Sequence, residues 1–214
     1  MHLMFIFALL VCASMASYGV DMSTAVSTSS FSCLINNGYG GFMMVRGWCS
    51  TGRFDSASIT SLNNAHAAGY SSQNTDVYFY PCLSCGNAAG QVDSFWNSVV
   101  ANHMDFKRLW FDIEGDWYSS QTSNRQFFEQ MINEARAIGI VYGIYASTYY
   151  WSLIMGSGYV YSPAASSPLW YPHYDNNPSF YDFSSFGGWS SPYIKQYKGT
   201  TSLCSASVDL NYGH

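Results

Sequence analysis

The sequence predicts a parallel α/β barrel of the TIM type. Two observations lead to this fold class. Eight apolar runs of strand length recur along the chain, and five of them are followed by segments with helical spacing of apolar residues. With 214 residues, of which 48% are hydrophobic and 18% aromatic, the chain is long and apolar enough to form one domain around its own core.

Strand and helix candidates alternate over the first two thirds of the chain. The strands are predicted at 18–23, 42–48, 76–82, 108–114, 140–147, 168–174, 193–199 and 207–211. A Ser/Thr-rich segment that ends at Asn37-Gly38 follows the first strand. Helical spacing then marks 56–69, 88–104 and 122–138. Loops rather than full helices separate the last strands, so we expect an irregular last third.

The first 16 residues are predicted to be a cleaved signal peptide. An apolar run from Leu3 to Val11 precedes small residues, with Ser14 and Ala16 at the −3 and −1 positions. The run is too short to span a bilayer comfortably, and no second apolar stretch of about 18 residues follows. We therefore expect a secreted protein without a membrane anchor, whose residues 17–214 form a single domain.

The cysteines indicate structural disulfides rather than a metal or redox site. Removal of residues 1–16 takes Cys12 away and leaves five cysteines, so at most two disulfides can form within the chain. The motif PCLSC at 81–85 follows a predicted strand, whereas a redox C-x-x-C opens a helix in a shorter fold. A zinc site would need a second such pair. No metal and no cofactor are predicted.

The charge excludes two classes of partner. The formal net charge is −5, with only eight Lys and Arg in the whole chain and no basic cluster. Nucleic acid and anionic membrane surfaces are bound through basic patches, so neither is expected as a partner.

Acidic residues stand at the ends of predicted strands. In KRLWFDIEGDW, residues 107–117, three acids follow an apolar run. Side chains two apart on a strand point the same way, so Asp112 and Glu114 face one side at its carboxyl end. Asp21 near the end of the first strand and Asp209 near the end of the last become neighbours when a barrel closes. The four carboxylates are therefore predicted to converge on one pocket, where barrel enzymes carry their chemistry.

Paired carboxylates without metal partners favour cleavage of a glycosidic bond. One acid donates a proton to the leaving oxygen, while another stabilises or captures the developing positive charge. Crowding raises the pKa of at least one such acid, which keeps it protonated near neutral pH. Two other interpretations stay open at this point: a D-x-E pair that is merely a solvated strand end, and carboxylates that hold a divalent cation.

Six motifs in register resemble the family 25 glycoside hydrolases, the barrel-type lysozymes, most closely their secreted eukaryotic branch. The resemblance covers nearly all of the chain after residue 16. The motifs are YGVDMS at 18–23, WFDIEG at 110–115, GIYAS at 143–147, LWYPHYD at 169–175, IKQYKG at 194–199 and VDLNYG at 208–213. It implies a flattened barrel with five β/α units and three further strands.

The resemblance also implies roles for the four acids in a lysozyme catalytic domain. Glu114 would be the general acid and later the base that activates water. Asp112 would orient the N-acetyl group of the substrate or act as nucleophile, and Asp21 and Asp209 would support them. The substrate would be the glycan of bacterial peptidoglycan, cut after N-acetylmuramic acid with net retention. Asp116, beyond the strand, is given no catalytic role.

Five further residues are predicted to bind substrate. Tyr145 and Tyr171 fall inside matching strand motifs, and Trp170 offers a ring for sugar stacking. Gln196 and Arg46 sit on strands where polar residues would line the pocket. The single histidine near a predicted strand end, at position 173, is expected to be structural.

Two alternatives accompany the muramidase prediction. An inactive carbohydrate-binding relative would keep the cleft and lose the acids, and a chitinase-like endoglycosidase would differ in substrate. The acidic chain suggests work outside the cell or in a phagosomal or lysosomal compartment, where protonation reduces repulsion between carboxylates. We expect a monomer whose role is antibacterial defence or digestion of bacteria.

Overall fold

A computed structural model describes residues 17–213, so the predicted signal peptide at 1–16 lies outside the described residues. The strands are β1 (Ser17–Met22), β2 (Phe42–Cys49), β3 (Arg53–Phe54), β4 (Thr75–Phe79), β5 (Leu109–Ile113), β6 (Tyr142–Ala146), β7 (Leu169–Pro172), β8 (Ile194–Leu203) and β9 (Ala206–Gly213). The helices are α1 (Thr28–Leu34), continued by a wider turn at Ile35–Tyr39, α2 (Ala57–Ala68), α3 (Ala88–Ala101), α4 (Gln121–Ile138), α5 (Thr148–Ile154) and α6 (Ser162–Ala165). Over the described range, the helices are all too short or too polar to cross a membrane.

Eight strands close into a barrel, which confirms the predicted fold class. The strand order is β1-β9-β8-β7-β6-β5-β4-β2, with β3 added at the outside of β2, and pairing between β1 and β2 closes the ring. Helices follow the strands of the first five β/α units, as the sequence predicts. The strand β9 differs from the predicted parallel arrangement, because it runs antiparallel to both β1 and β8. A tight turn of two residues joins β8 to β9, and such a turn can only connect antiparallel strands.

Two apolar layers hold the barrel together. Outside the sheet, helices pack their apolar faces onto the strands, as α4 does with Phe128, Met131 and Ile132, all fully buried. Inside, a smaller cluster fills the barrel around Trp110 and Trp170. The polar edges of these two indoles are satisfied: Trp110 Nε1 donates to Asp76 at 2.7 Å and Trp170 Nε1 donates to Asn211 at 2.8 Å.

Two disulfides fix segments outside the barrel, in agreement with the maximum that the cysteine count sets. Cys33 in α1 is bonded to Cys204 in the β8–β9 turn, across 171 positions of sequence. Cys82 is bonded to Cys85, so the C-x-x-C is a local disulfide, as predicted. Cys49 at the end of β2 is a buried free thiol.

Candidate active site

The four predicted acids meet at one end of the barrel. Asp21 of β1, Asp112 of β5 and Asp209 of β9 point into it, and Glu114 follows β5 directly. They line a pocket of about 100 Å³. The residues around it are Asp21, Tyr78, Asp112, Glu114, Tyr145, Trp170, Tyr174, Gln196 and Asp209. The antiparallel direction of β9 places Asp209 near the beginning of its strand, beside the carboxyl end of β1, where it pairs with Asp21.

Asp112 and Glu114 occupy one side of the chain because of the two-residue period of a strand. Asp112 is 6% exposed, and its Oδ1 has no hydrogen-bond partner among residues 17–213. Glu114 is partly exposed at the mouth of the pocket. The next residue, Gly115, has φ +73° and a Cβ there would lie 2.5 Å from the hydroxyl of Tyr80. Glycine therefore allows the chain to leave the strand at this point without moving Glu114.

Two amides hold Asp21 in place. Gln196 Nε2 donates to Asp21 Oδ1 at 2.8 Å, and Asn211 Nδ2 donates to the same oxygen at 2.7 Å. Gln196 Nε2 also lies 3.2 Å from Asp209 Oδ2. The backbone N–H of Thr200 donates to the other oxygen of Asp209. Two of the four acids are thus bound to fixed donors, whereas Asp112 Oδ1 is left for a ligand.

The same glutamine connects the acids to two tyrosines. Its Oε1 accepts hydrogen bonds from the hydroxyls of Tyr145, at 2.7 Å, and Tyr174, at 2.8 Å. Because the amide nitrogen faces carboxylates, the amide oxygen must face the hydroxyls, and both hydroxyls are therefore donors to it. The two hydroxyl oxygens also lie 3.3 Å from each other.

Crowding and burial shift the acids toward their protonated forms. Burial and the neighbouring Asp209 raise the pKa of Asp21 to about 7, against the lowering effect of its two amide donors. Burial, with Glu114 and Asp21 nearby, raises the pKa of Asp112 well above its ordinary value. Burial and the Asp209 charge also raise the pKa of Glu114. The pocket therefore retains protons at pH values where exposed carboxyls have lost theirs.

The predicted substrate-binding residues divide into two groups. Tyr145, Trp170 and Gln196 line the pocket with the acids. Tyr171 and Arg46 do not: Tyr171 packs edge-on against Phe183 in the outer layer, and Arg46 Nε forms an ion pair with Asp55 at 2.8 Å. The substrate-binding roles of Tyr171 and Arg46 stay predictions.

Two site residues were not singled out by the sequence. Tyr78 lines the pocket from β4, and Asn211 holds Asp21 from β9. Each follows an inward-facing acid by two positions, Asp76 and Asp209 respectively, so the period of the strand was the signal that could have identified them.

Two further cavities are lined by the segment that follows Glu114. The segment Gly115–Tyr118 separates a cavity of about 400 Å³, which includes Tyr80 and Leu83, from one of about 220 Å³, which includes Asn124 and Leu153. Trp117 and Tyr118 contribute to both. Trp117 Nε1 donates to the backbone carbonyl oxygen of Glu114 at 3.1 Å, so the segment that separates the cavities is hydrogen-bonded to the backbone of this acid. A polymer lying across Glu114 would find aromatic and polar surfaces beyond the acids.

A larger cavity lies away from the acids. It has about 580 Å³ and is lined by the segments that lead into β7 and β8, with Phe180 and Phe183. Its lining contains no carboxylate and no imidazole. We therefore assign the chemistry to the smaller, acidic pocket.

A second polar cluster lies just outside the pocket. His173, Asp175 and Asp182 each bring one ligand-type atom within 4.8 Å of the others. The ammonium of Lys195 donates to Asp175 at 2.8 Å and to Asp182 at 2.6 Å. The Lys195 ammonium thus balances the negative charges of the two carboxylates. His173 Nδ1 contacts Asp182 in this cluster, and the structural role of this histidine stays a prediction.

Comparisons with known proteins agree with the fold and the site. The family model described as Lysozyme-like protein 1 matches residues 13–197. Probable GH family 25 lysozyme 2 of Dictyostelium discoideum is 42% identical over 207 residues, which are 96% of this chain and 94% of that protein. Lysozyme-like protein 5 of Caenorhabditis elegans is 40% identical over 214 residues, with 97% of each chain covered.

A solved structure shares the architecture at low sequence identity. The muramidase from Trichobolus zukalii superposes with a TM-score of 0.73 at 18% identity, covering 92% of this chain and 93% of that one. This likeness concerns the fold, and the sequence relatives establish the family. The chain belongs to the family 25 glycoside hydrolases, the lysozyme family.

Proposed function

We propose that the protein is a muramidase that hydrolyses the β-1,4 bond after N-acetylmuramic acid in bacterial peptidoglycan. The observation that carries the proposal is the pairing of Asp112 with Glu114 at the mouth of a pocket that raises the pKa of both. A glycosidase needs one carboxyl group that still holds a proton and one that stabilises positive charge. The names of the lysozyme and muramidase relatives support the choice of substrate.

In the proposed reaction Glu114 is the proton donor. It transfers its proton to the leaving glycosidic oxygen as the bond from that oxygen to the anomeric carbon breaks. The positive charge that develops on the sugar favours the ionised form of Asp112, which burial and the neighbouring acids otherwise disfavour. Asp112 is therefore stabilising mainly in the transition state, where its negative charge lies beside a positive one.

We propose net retention with help from the acetamide of the substrate. Asp112 accepts a hydrogen bond from the acetamide N–H, and the acetamide oxygen forms a bond to the anomeric carbon. Water then attacks that carbon and Glu114 takes the water proton, while the bond from the acetamide oxygen to the anomeric carbon breaks. The second inversion restores the original configuration of the anomeric carbon. The unpartnered Oδ1 of Asp112 supports this role, since it is the one buried carboxylate oxygen of the pair left open to a ligand.

The place of action is proposed to be outside the cell or in an acidic digestive compartment. The apolar run at 3–11 supports export. Glu114 must be protonated to donate, which supports an acidic working range, and burial and the Asp209 charge extend that range toward neutral pH by raising the pKa of Glu114. A neutral optimum with little activity near pH 5 would contradict the acidic compartment.

The test is the release of reducing ends from purified peptidoglycan between pH 3 and pH 8. The wild type is compared with Glu114→Gln and with Asp116→Asn, a matched control that neutralises an exposed acid two positions away. We expect Glu114→Gln to lose at least about a hundredfold in rate and the control to keep its rate. Early product examined by proton NMR should show the β-anomer.

Other outcomes separate the alternatives. A wild type that binds the glycan without releasing reducing ends would be a carbohydrate-binding relative. Faster cleavage of chitin oligosaccharides than of peptidoglycan would indicate a chitinase-like endoglycosidase. Equal loss of rate in Glu114→Gln and Asp116→Asn would overturn the assignment of the proton donor.

A further inference from the structure

Lys195 is a completely buried lysine next to the active-site pocket. It lies in β8, its exposed fraction is 0%, and it adjoins Gln196. Because neighbouring strand residues point to opposite faces, Gln196 faces the acids while Lys195 faces away from them. Burial of an ammonium is costly without charged partners. The reaction proposed above makes no use of this group, so its presence needs another explanation.

The partners of Lys195 come from the long irregular segment after β7. Its ammonium donates to Asp175 and Asp182, which lie at two separated points of the segment between β7 and β8. Burial acts to raise the pKa of both carboxyls, but the hydrogen bonds that Lys195 donates to them outweigh it, and the pKa of each is lowered. His173 Nδ1 lies 2.5 Å from the other oxygen of Asp182. The buried ammonium of Lys195 thus holds together two parts of a segment that contains no helix or strand.

The same segment contains Tyr174, which lines the pocket. The Tyr174 hydroxyl donates to Gln196, and it lies 3.3 Å from the hydroxyl of Tyr145. The residue is nevertheless 57% exposed, so its ring stands at the rim with a face toward solvent. A ring in this position, anchored at its hydroxyl, is suited to pack against a sugar.

We propose that Lys195 is a positioning residue, which holds Tyr174 at the rim of the pocket as a contact surface for a sugar ring of the bound glycan. The inference rests on the proposed function, because it takes the glycan as the ligand. Backbone bonds from His173 to Gln196 and from Asn176 to Tyr197 tie both sides of Tyr174 to β8. Without the ammonium, two neighbouring carboxylates would repel each other directly beside these bonds.

The experiment measures binding rather than turnover. A tetrasaccharide prepared from peptidoglycan is titrated calorimetrically into Glu114→Gln protein, alone and combined with Lys195→Met, Tyr174→Ala or both. Lys198→Met is the matched control, since Lys198 is an exposed lysine of the same strand. We expect Lys195→Met to weaken binding about tenfold when Tyr174 is present and less than about twofold when Tyr174 is alanine. Hydrogen–deuterium exchange should increase in 173–183 with Lys195→Met and not with Lys198→Met.

Two results would overturn the proposal: an equal effect of Lys195→Met with and without Tyr174, or unchanged binding in a folded Lys195→Met protein. If Lys195→Met does not fold, Asp175→Asn takes its place, because it removes the negative charge of one partner and keeps the bond from Lys195 to Asp182. The same two criteria then apply. Failure of the wild type to cleave peptidoglycan would refute the proposed function alone, because the binding measurement does not depend on turnover.

Discussion

Asp21 and Asp209 are direct partners across the antiparallel pair of β1 and β9, and one amide, Gln196 Nε2, contacts both carboxylates. This arrangement places two acids from opposite ends of the sequence side by side. The amide reduces their repulsion without carrying a charge. Burial and the neighbouring Asp209 raise the pKa of Asp21 to about 7, against the lowering effect of the hydrogen bonds from Asn211 and Gln196.

Gln196→Glu should greatly reduce activity near neutral pH. The substitution replaces a donor to Asp21 with a further carboxylate, and it gives the hydroxyls of Tyr145 and Tyr174 a changed partner. Unpaired buried charge is strongly unfavourable, so we expect a loss of about a hundredfold at pH 7 and partial recovery near pH 4. The rate of peptidoglycan hydrolysis at both pH values checks this. Gln130→Glu, at an exposed position of α4, is the control, and equal rates in the two variants would refute the role of Gln196.

Asp209→Asn should move the alkaline limb of the pH–activity profile to lower pH. The Asp209 charge raises the pKa of both Glu114 and Asp21, so removing it lets both ionise earlier as pH increases. Glu114 must keep its proton to act as an acid, and activity therefore falls at a lower pH. Profiles of kcat/KM from pH 3 to pH 9 measure the shift. Asp116→Asn should leave the limb in place, and a shift of the same size there would argue against a specific contact.

The acids could be predicted from the sequence, whereas the network around them could not. The positions of Asp112 and Glu114 could be predicted because an apolar strand and its two-residue period determine which way their side chains point. The same period could have separated Trp170, which lines the pocket, from its neighbour Tyr171, which faces the outer layer. The direction of β9 depends on how the ring closes, so it is a property of the assembled sheet rather than of any segment.

The partners of Lys195 show a second limit. Asp175 and Asp182 lie in a segment without periodicity, where side-chain directions follow from contacts with β8 instead of from a local pattern. From the sequence, position 173 could be recognised as a histidine near a predicted strand end. Nothing in the sequence indicated that a buried charge organises this segment.

Asp76→Asn should stabilise the protein at neutral pH. Burial raises the pKa of Asp76 from 3.8 to about 6, against the lowering effect of the hydrogen bond from Trp110. The unfolded chain ionises more readily than the folded one, so the folded protein loses stability as pH rises from about 4 to 6, by roughly 3 kcal/mol. Asparagine keeps an acceptor for Trp110 and does not ionise. Urea unfolding at pH 4 and pH 7.5 should show a gain only at pH 7.5.

The outcome for Asp76→Asn is compared with Asp105→Asn, which neutralises an exposed acid. A similar change in unfolding free energy at both pH values would mean that packing, rather than ionisation, determines the effect.

The two disulfides should differ in their contribution to stability. The Cys33–Cys204 bond closes a loop across 171 positions, whereas the Cys82–Cys85 bond spans three. A longer closed loop removes more conformations from the unfolded chain, so replacing the first pair by serine should cost about 5 kcal/mol and the second about 2 kcal/mol. Urea midpoints of the two double variants test this order. A larger loss for the short loop would contradict the chain-entropy explanation.

The hydrogen bonds at Asp21 also determine when activity can arise during synthesis. The partners of this carboxylate, Gln196 and Asn211, lie 175 and 190 positions further along the chain. A growing polypeptide that still lacks β9 contains Asp112, Glu114 and Gln196 but neither Asp209 nor Asn211. The nascent chain is therefore inert until its last strand has left the ribosome and inserted beside its first. Any shortened product that ends before this strand should be inactive toward the glycan for the same reason.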